Sequence, residues 1–200
     1  MSRKNADAIV SGACWKEIVR GLRAKGVSDE EIRKLVSGEA GASIEKIVDV
    51  LAEMIRKATN VFSVFVDYGR SVADLVAAGK YDWKSDNVND KNFTASRLGA
   101  DTVDVQLVHF NRIVSTEEAL KELDNQGLRA IDLHELLSIG AKYPNLQREF
   151  PIVALGSVWQ DRYGYRCVPY LCGYGSERVL YLDWVGDDWY ELCRFAAVRK

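Results

Sequence analysis

The sequence predicts an α+β fold, with a small helical N-terminal region over residues 1–58 ahead of a sheet-containing domain over residues 60–200. Three observations lead there. Apolar residues recur at helical spacing up to about residue 58. Two apolar or alternating runs and two adjacent capped helices follow. The stretch from Trp159 to Lys200 then carries several Gly and Trp residues, with period-two alternation over Leu180–Asp183, as short antiparallel strands do. Helices and strands kept in separate blocks indicate α+β; a parallel α/β sheet would interleave them.

In chain order, Ala8, Ile9, Ala13, Trp15, Ile18, Val19 and Leu22 recur at roughly helical spacing, and Gly26 stands where a C-cap belongs. Ser28-Asp-Glu-Glu31 is a capping box ahead of Ile32, Leu35 and Val36. Gly38 and Gly41 break the chain before Ser43 begins a third helix, with Ile44, Ile47, Val48, Leu51, Met54 and Ile55 inward. Residues 61–66, apolar and β-branched, read as a buried strand. Ser71 opens a short helix closed by Gly79, and residues 81–99, rich in Asp, Asn, Lys and Ser, read as a loop. Val103, Val105, Leu107 and His109 alternate with Asp104, Gln106 and Val108 in a second strand. Ser115 with Glu118 is another capping box, for a helix over residues 116–125 that Gly127 ends. Asp132 caps the next helix, which stops before Pro144. Pro151-Ile-Val-Ala-Leu155 begins the β-rich remainder.

That remainder is unusual in composition. Leu180 and Leu182 alternate with Tyr181 and Asp183, so one pair faces a core and the other faces out. Ordinary antiparallel strands put Thr, Lys or Glu outward; this stretch puts Tyr, Cys, Ser, Val and Asp there. Tyrosine is what binding surfaces favour, because it offers rigid amphipathic area at little entropic cost.

Particular residues make the pattern more specific. They are Ala154-Leu-Gly-Ser-Val-Trp159, Val168-Pro169, Arg178-x-Leu180-x-Leu182-x-Trp184 and Arg194-Phe-Ala-Ala-Val-Arg199, with the helices at Ser115-Thr-Glu-Glu-Ala-Leu and Asp132-Leu-His-Glu-Leu-Leu upstream. On these residues the chain from about Val61 onward resembles the variable proteins of diversity-generating retroelements. The resemblance implies a C-type-lectin-like fold over 60–200 with a variable region at about 159–193. In that family a reverse transcriptase randomises the adenines of AAC or AAT codons. Such codons yield Tyr, Cys, Ser, Asp, Val, Gly, Leu or Asn, and never Trp, Glu, Gln, Met or Lys. The resemblance thus implies one exposed, ligand-binding face made of Tyr163, Tyr165, Cys167, Tyr170, Cys172, Tyr174, Ser176, Val179, Tyr181, Asp183, Val185 and Tyr190. Gln160, Glu177, Trp184, Trp189 and Glu191 are then fixed, and Trp159, Leu180, Leu182, Trp184 and Phe195 are expected in the core. The expected partner is a macromolecule, a protein foremost, bound without cofactor, metal or catalysis.

Other function classes fit less well. A hydrophobic content of 48% in 200 residues suffices for a core, and a formal charge of −2 gives no general attraction to nucleic acid or anionic membrane. No apolar run reaches membrane-spanning length, and Ile9-Val10 is followed at once by Ser-Gly, so the expectation is a cytoplasmic chain. The N-terminal helices balance Lys and Arg with Glu and Asp, which suits oligomerisation or tethering better than DNA binding. Cys167 and Cys172 lack the CxxC spacing of zinc sites. Formylglycine-generating enzymes share the lectin-like fold and carry two catalytic cysteines at this same separation, so a copper oxidase using Cys167 and Cys172 is the alternative reading. The intervening Val-Pro-Tyr-Leu lacks the polar residues of that family's site. Asp183, Asp187 and Asp188 lack the converging oxygen set that calcium needs, and His109 and His134 read as surface or packing residues. A helical adaptor with a merely structural C-terminal domain is a third reading.

Overall fold

The computed structural model describes residues 15–37, 46, 48–52, 54 and 58–200. The chain divides into two compact units, Met1–Ala58 and Thr59–Lys200. In the first unit, residues 15–24 are helical and end in a Schellman turn: Val27 N–H reaches the Leu22 carbonyl and Gly26 N–H the Arg23 carbonyl, with Gly26 at φ +82°. Ser28 and Glu31 form the reciprocal capping box that opens the helix Asp29–Val36. Ala8, Ile9, Ala13, Gly38, Gly41, Ser43, Ile44, Ile47 and Ile55 lie outside the described residues. Val48, Leu51 and Met54, expected to point inward, are exposed, because no neighbouring element among the described residues covers them.

The second unit runs β1 (Val61–Asp67), α1 (Val72–Gly79), β2 (Trp83–Lys84), β3 (Ala100–Val108), α2 (Thr116–Asn125), β4 (Leu128–Ala130), α3 (Leu133–Lys142), α4 (Leu146–Glu149), β5 (Ile152–Val153), β6 (Trp159–Gln160), β7 (Arg166–Tyr174), β8 (Glu177–Trp184) and β9 (Arg194–Arg199). The strands make one sheet in the order β1-β3-β9-β5-β7-β8-β2, with β4 on β9 and β6 on β7. Pairing is antiparallel except that β5 runs parallel to β9 and β2 parallel to β8. This is α+β.

Both sides of the sheet's middle are buried, as the run Phe195-Ala-Ala-Val198 requires. Ala196 and Val198 join a core on the side of α1 and α3, with Leu75, Leu136, Leu171, Leu180 and Leu182. Phe195 and Ala197 join a second core on the side of α2, with Leu123, Val153, Val168, Trp189 and Cys193. β1 departs from the expected buried strand: it is an edge, Phe62, Val64 and Val66 turn inward, and Phe65 is 63% exposed because no layer covers that face.

Local chemistry explains the other departures. Helix α1 is closed by Lys80 in the left-handed region at φ 50°, while Gly79 is required for space, since a Cβ there would lie 2.3 Å from the Tyr81 ring. Ser115 caps α2 by accepting Glu118 N–H, but the box is not reciprocal; the Glu118 side chain pairs with Arg112 at 2.8 Å instead. Asp132 and Glu135 do form a reciprocal box at α3. The expected loop over residues 81–99 contains β2, and β4 and α4 were too short to show any periodicity.

Glu135 is fully buried, at 0% exposure of its side chain. Burial alone would raise its carboxyl, but hydrogen bonds from Arg129, the Asp132 backbone and Tyr68 outweigh that and hold it below its ordinary value of 4.5. Arg129 donates to both its oxygens at 2.6 and 2.9 Å, and Tyr68 donates at 2.8 Å. A depressed folded pKa adds stability above the unfolded value, which is lost as pH falls through the folded one. Glu135→Gln is therefore expected to cost about 3 kcal/mol in denaturant unfolding at pH 7. Its deficit against the wild type should narrow as pH drops below 4.5.

Candidate functional site

The β7–β8 hairpin turns through Gly175 and Ser176 alone, with Gly175 at φ +58°. A positive φ at only the first central residue is the tight-hairpin form that favours glycine there. The turn sets the register, and the register sorts the side chains. Tyr170 pairs with Tyr181, Cys172 with Val179, Val168 with Asp183 and Tyr174 with Glu177, all on the face that leads toward the second core. Cys167 pairs with Trp184, Pro169 with Leu182 and Leu171 with Leu180 on the opposite face, toward the first core.

The first of these faces emerges beyond the cover of α2 as an aromatic surface. Trp83 enters it from β2 beside Val179. Its ring stands 5.3 Å from that of Tyr181, which meets Tyr170 edge-on at 5.8 Å. Next to Tyr170 opens a cleft of about 700 Å³, lined by Ile113, Pro151, Tyr170, Cys172, Asp183, Asp187, Asp188, Trp189, Tyr190 and Cys193. Tyr190 is 77% exposed at its rim, while buried Trp189 donates its indole N–H to Thr116 at 2.9 Å.

The twelve residues named from the sequence are none of them buried, yet they do not share one face. Tyr163, Tyr165, Tyr174, Ser176, Tyr181 and Tyr190 are exposed; Cys167, Tyr170, Cys172, Val179, Asp183 and Val185 are half-buried. Tyr170, Cys172, Tyr174, Val179, Tyr181 and Asp183 come together on the aromatic face. Tyr190 joins Tyr170, Cys172 and Asp183 at the cleft. Cys167 points the other way, against the first core, because it has odd spacing from Tyr170 and Cys172 along one strand. Tyr165 packs edge-on to Trp184 at 5.4 Å on that same side, and Val185 leans into the second core. Trp184, expected in the core, is 40% exposed, and Trp159 is half-buried. Trp184 occupies the end of β8, past Leu182. Trp83, Ile113 and Pro151 were not anticipated; only the long-range pairing of β2 with β8 brings Trp83 in.

The backbone of this surface is held from outside it. Buried Gln147 donates to the carbonyls of Cys172 (2.8 Å) and Val179 (3.1 Å). Asp161 Oδ1 accepts the N–H groups of Tyr163 (2.8 Å) and Tyr165 (2.9 Å). Thr116 donates to the Val185 carbonyl at 2.9 Å, and Arg148 to that of Ser176. The side chains of the twelve add little in return. Asp183 accepts its neighbour's N–H at 2.9 Å.

The cysteines are not set up as a reactive pair. Burial first, then the charge of nearby aspartates, pushes the thiols of Cys167 and Cys172 up, away from the thiolate form. Five residues of extended strand span roughly 16 Å, far beyond disulfide reach, and the two side chains leave opposite faces. Both are free thiols. The convergence that the copper-oxidase reading requires is absent from this pair. Among the described residues no helix is long and apolar enough to cross a membrane. Set against known proteins, the chain matches no family model, no curated protein and no solved structure.

Asp161→Ala removes the acceptor for two loop N–H groups and is expected to cost about 1–2 kcal/mol, whereas Tyr163→Ser stays within about 0.5 kcal/mol of wild type and Tyr165→Ser costs about 0.5–1 kcal/mol through its lost ring contact with Trp184. Urea unfolding of the three variants checks the contrast.

Proposed function

We propose that this chain is a ligand-binding variable protein of the diversity-generating-retroelement type. In that reading a C-type-lectin-like scaffold displays the β7–β8 hairpin and its flanking loops to a macromolecular partner, a protein foremost. The supporting observation is the division of labour in the hairpin. Gln147, Asp161, Thr116 and Arg148 hold the backbone of positions whose own side chains carry almost no structural hydrogen bonds. A surface built so can change its side chains while the chain path stays put. The exposed aromatics supply contact area with few rotatable bonds, the physics of a paratope. Recognition rests on Tyr170, Cys172, Tyr174, Val179, Tyr181, Asp183 and Tyr190, with Tyr163, Tyr165 and Ser176 at its margins. Cys167 faces elsewhere and stands apart from this set.

The reading is tested on the DNA flanking the coding sequence. A near-copy of the 3′ end is expected beside a reverse transcriptase gene, with AAC or AAT at the codons of the recognition residues. A copy whose mismatches fall on Leu171, Arg178, Leu180 or Trp189 overturns it.

A further inference from the structure

The aromatic face has no partner among the described residues, and the charge that lines its cleft is of one sign. The cleft beside Tyr170 carries Asp183, Asp187 and Asp188, and no lysine or arginine lines it. None of the three aspartates makes an ion pair among the described residues; Asp183 only accepts the N–H of Trp184. The arginines nearest in sequence are occupied elsewhere: Arg178 is buried and donates to the Gly140 carbonyl, and the Arg194 guanidinium lies 4.7 Å over the Phe150 ring and donates to the Leu192 carbonyl at 3.0 Å. Asp183 also contributes, after burial, to raising the Tyr170 hydroxyl and the Cys172 and Cys193 thiols, and Arg194 acts against it at Cys193 alone. Tyr170 and Tyr190 meet these carboxylates at the same opening, and Ile113 and Pro151 form an apolar lip.

We infer that the cleft receives a cationic side chain, arginine foremost, from an extended segment of a protein partner that also lays an apolar residue on the lip. The inference deepens the recognition reading above and rests on it. Charge complementarity selects the cation, because a neutral segment would leave three carboxylates without a counter-charge and an acidic one would repel them. The tyrosine rings select arginine over lysine, since a planar guanidinium stacks on an aromatic face while its fork still reaches carboxylates. At about 700 Å³ the cleft is larger than one side chain, so a peptide segment occupies it. The charge preference belongs to this version of the surface: Asp183 is itself one of the variable positions.

The test is panning of phage-displayed random dodecapeptides against the full-length chain, followed by affinity measurement of the enriched peptides on three proteins. These are wild type, Asp183→Asn/Asp187→Asn/Asp188→Asn, and Tyr181→Ala/Tyr190→Ala, each first shown to melt as wild type does. All the altered side chains are half-buried or exposed, and Asn at 183 keeps an oxygen for Trp184 N–H. Enriched peptides are expected to carry arginine beside an apolar residue. They should lose affinity about tenfold or more on the asparagine variant and on exchange of that arginine for a neutral residue. Peptides that need Tyr181 and Tyr190 but bind the asparagine variant equally well overturn the cation inference and leave the recognition reading standing. Selection that yields no peptide dependent on either set overturns both.

Discussion

One buried guanidinium ties the domain together. Arg178 projects from β8 into the first core and is 6% exposed, with no carboxylate against its head group. It donates instead to the carbonyls of Gly79, Lys80 and Gly140 and to Gln147 Oε1, and its head group lies 5.0 Å over the Tyr81 ring. Gly79 and Gly140 belong to the last turns of α1 and α3, where unpaired carbonyls concentrate partial negative charge. Two helix C-termini thus take the place of a counter-ion. Burial lowers the guanidinium's pKa, yet arginine stays charged at any pH the fold survives. The site tolerates no extra atoms: a Cβ at either glycine would sit 2.3 Å from Tyr81. Its cost is visible too, since Arg178 Nε and Tyr81 Oη are buried without hydrogen-bond partners.

The aromatic face inherits its position from that clamp. Gln147 accepts from Arg178 and with its amide nitrogen donates to the carbonyls of Cys172 and Val179 on the two hairpin strands. The constraint therefore passes from helix ends, through one guanidinium and one amide, to the backbone beneath the aromatic face. Side chains above that backbone are spectators to the network. Rigidity beneath and freedom above are what a surface needs if it is to bind without large ordering costs.

How far this could be read from the sequence follows the range of each interaction. The capping box at Ser28–Glu31 and the N-cap at Asp132 were legible because they close within one turn, though the side chain of Glu118 left the box expected at Ser115 for Arg112. The alternation of Leu180 and Leu182 with Tyr181 and Asp183 was legible because parity along a strand decides its face. The same parity separates Cys167 from Tyr170, Cys172 and Tyr174; treating residues 163–190 as one surface hides it. Parity fails at strand ends, which is why Trp184 shares the face of Leu182 yet lies open. Arg178 gave no local sign of its role, since its partners Gly79, Gly140 and Gln147 are brought to it only by the fold. Trp83 was equally hidden, in a stretch whose Asp, Asn and Lys read as loop.

The aromatic face is also graded, and the grading limits what can vary. Tyr174, Tyr181 and Tyr190 are exposed, so their replacement disturbs little but the surface. Tyr170 and Val185 are different: both pack against the second core, beside Val168, Trp189 and Phe195. Tyr170 is already desolvated enough to raise its hydroxyl well above the ordinary range. A charged or much smaller residue there would expose apolar neighbours or bury an unpaired group, at about 1–3 kcal/mol. Tyr170, which lines the cleft, and Val185 are thus the positions where binding and stability would compete. The tolerant positions lie toward the Gly175–Ser176 turn, where Tyr174 and Ser176 stand clear of both cores. A scaffold of this kind would place its widest chemical variety at the turn and the strand edge, and keep aromatic or aliphatic choices at Tyr170 and Val185.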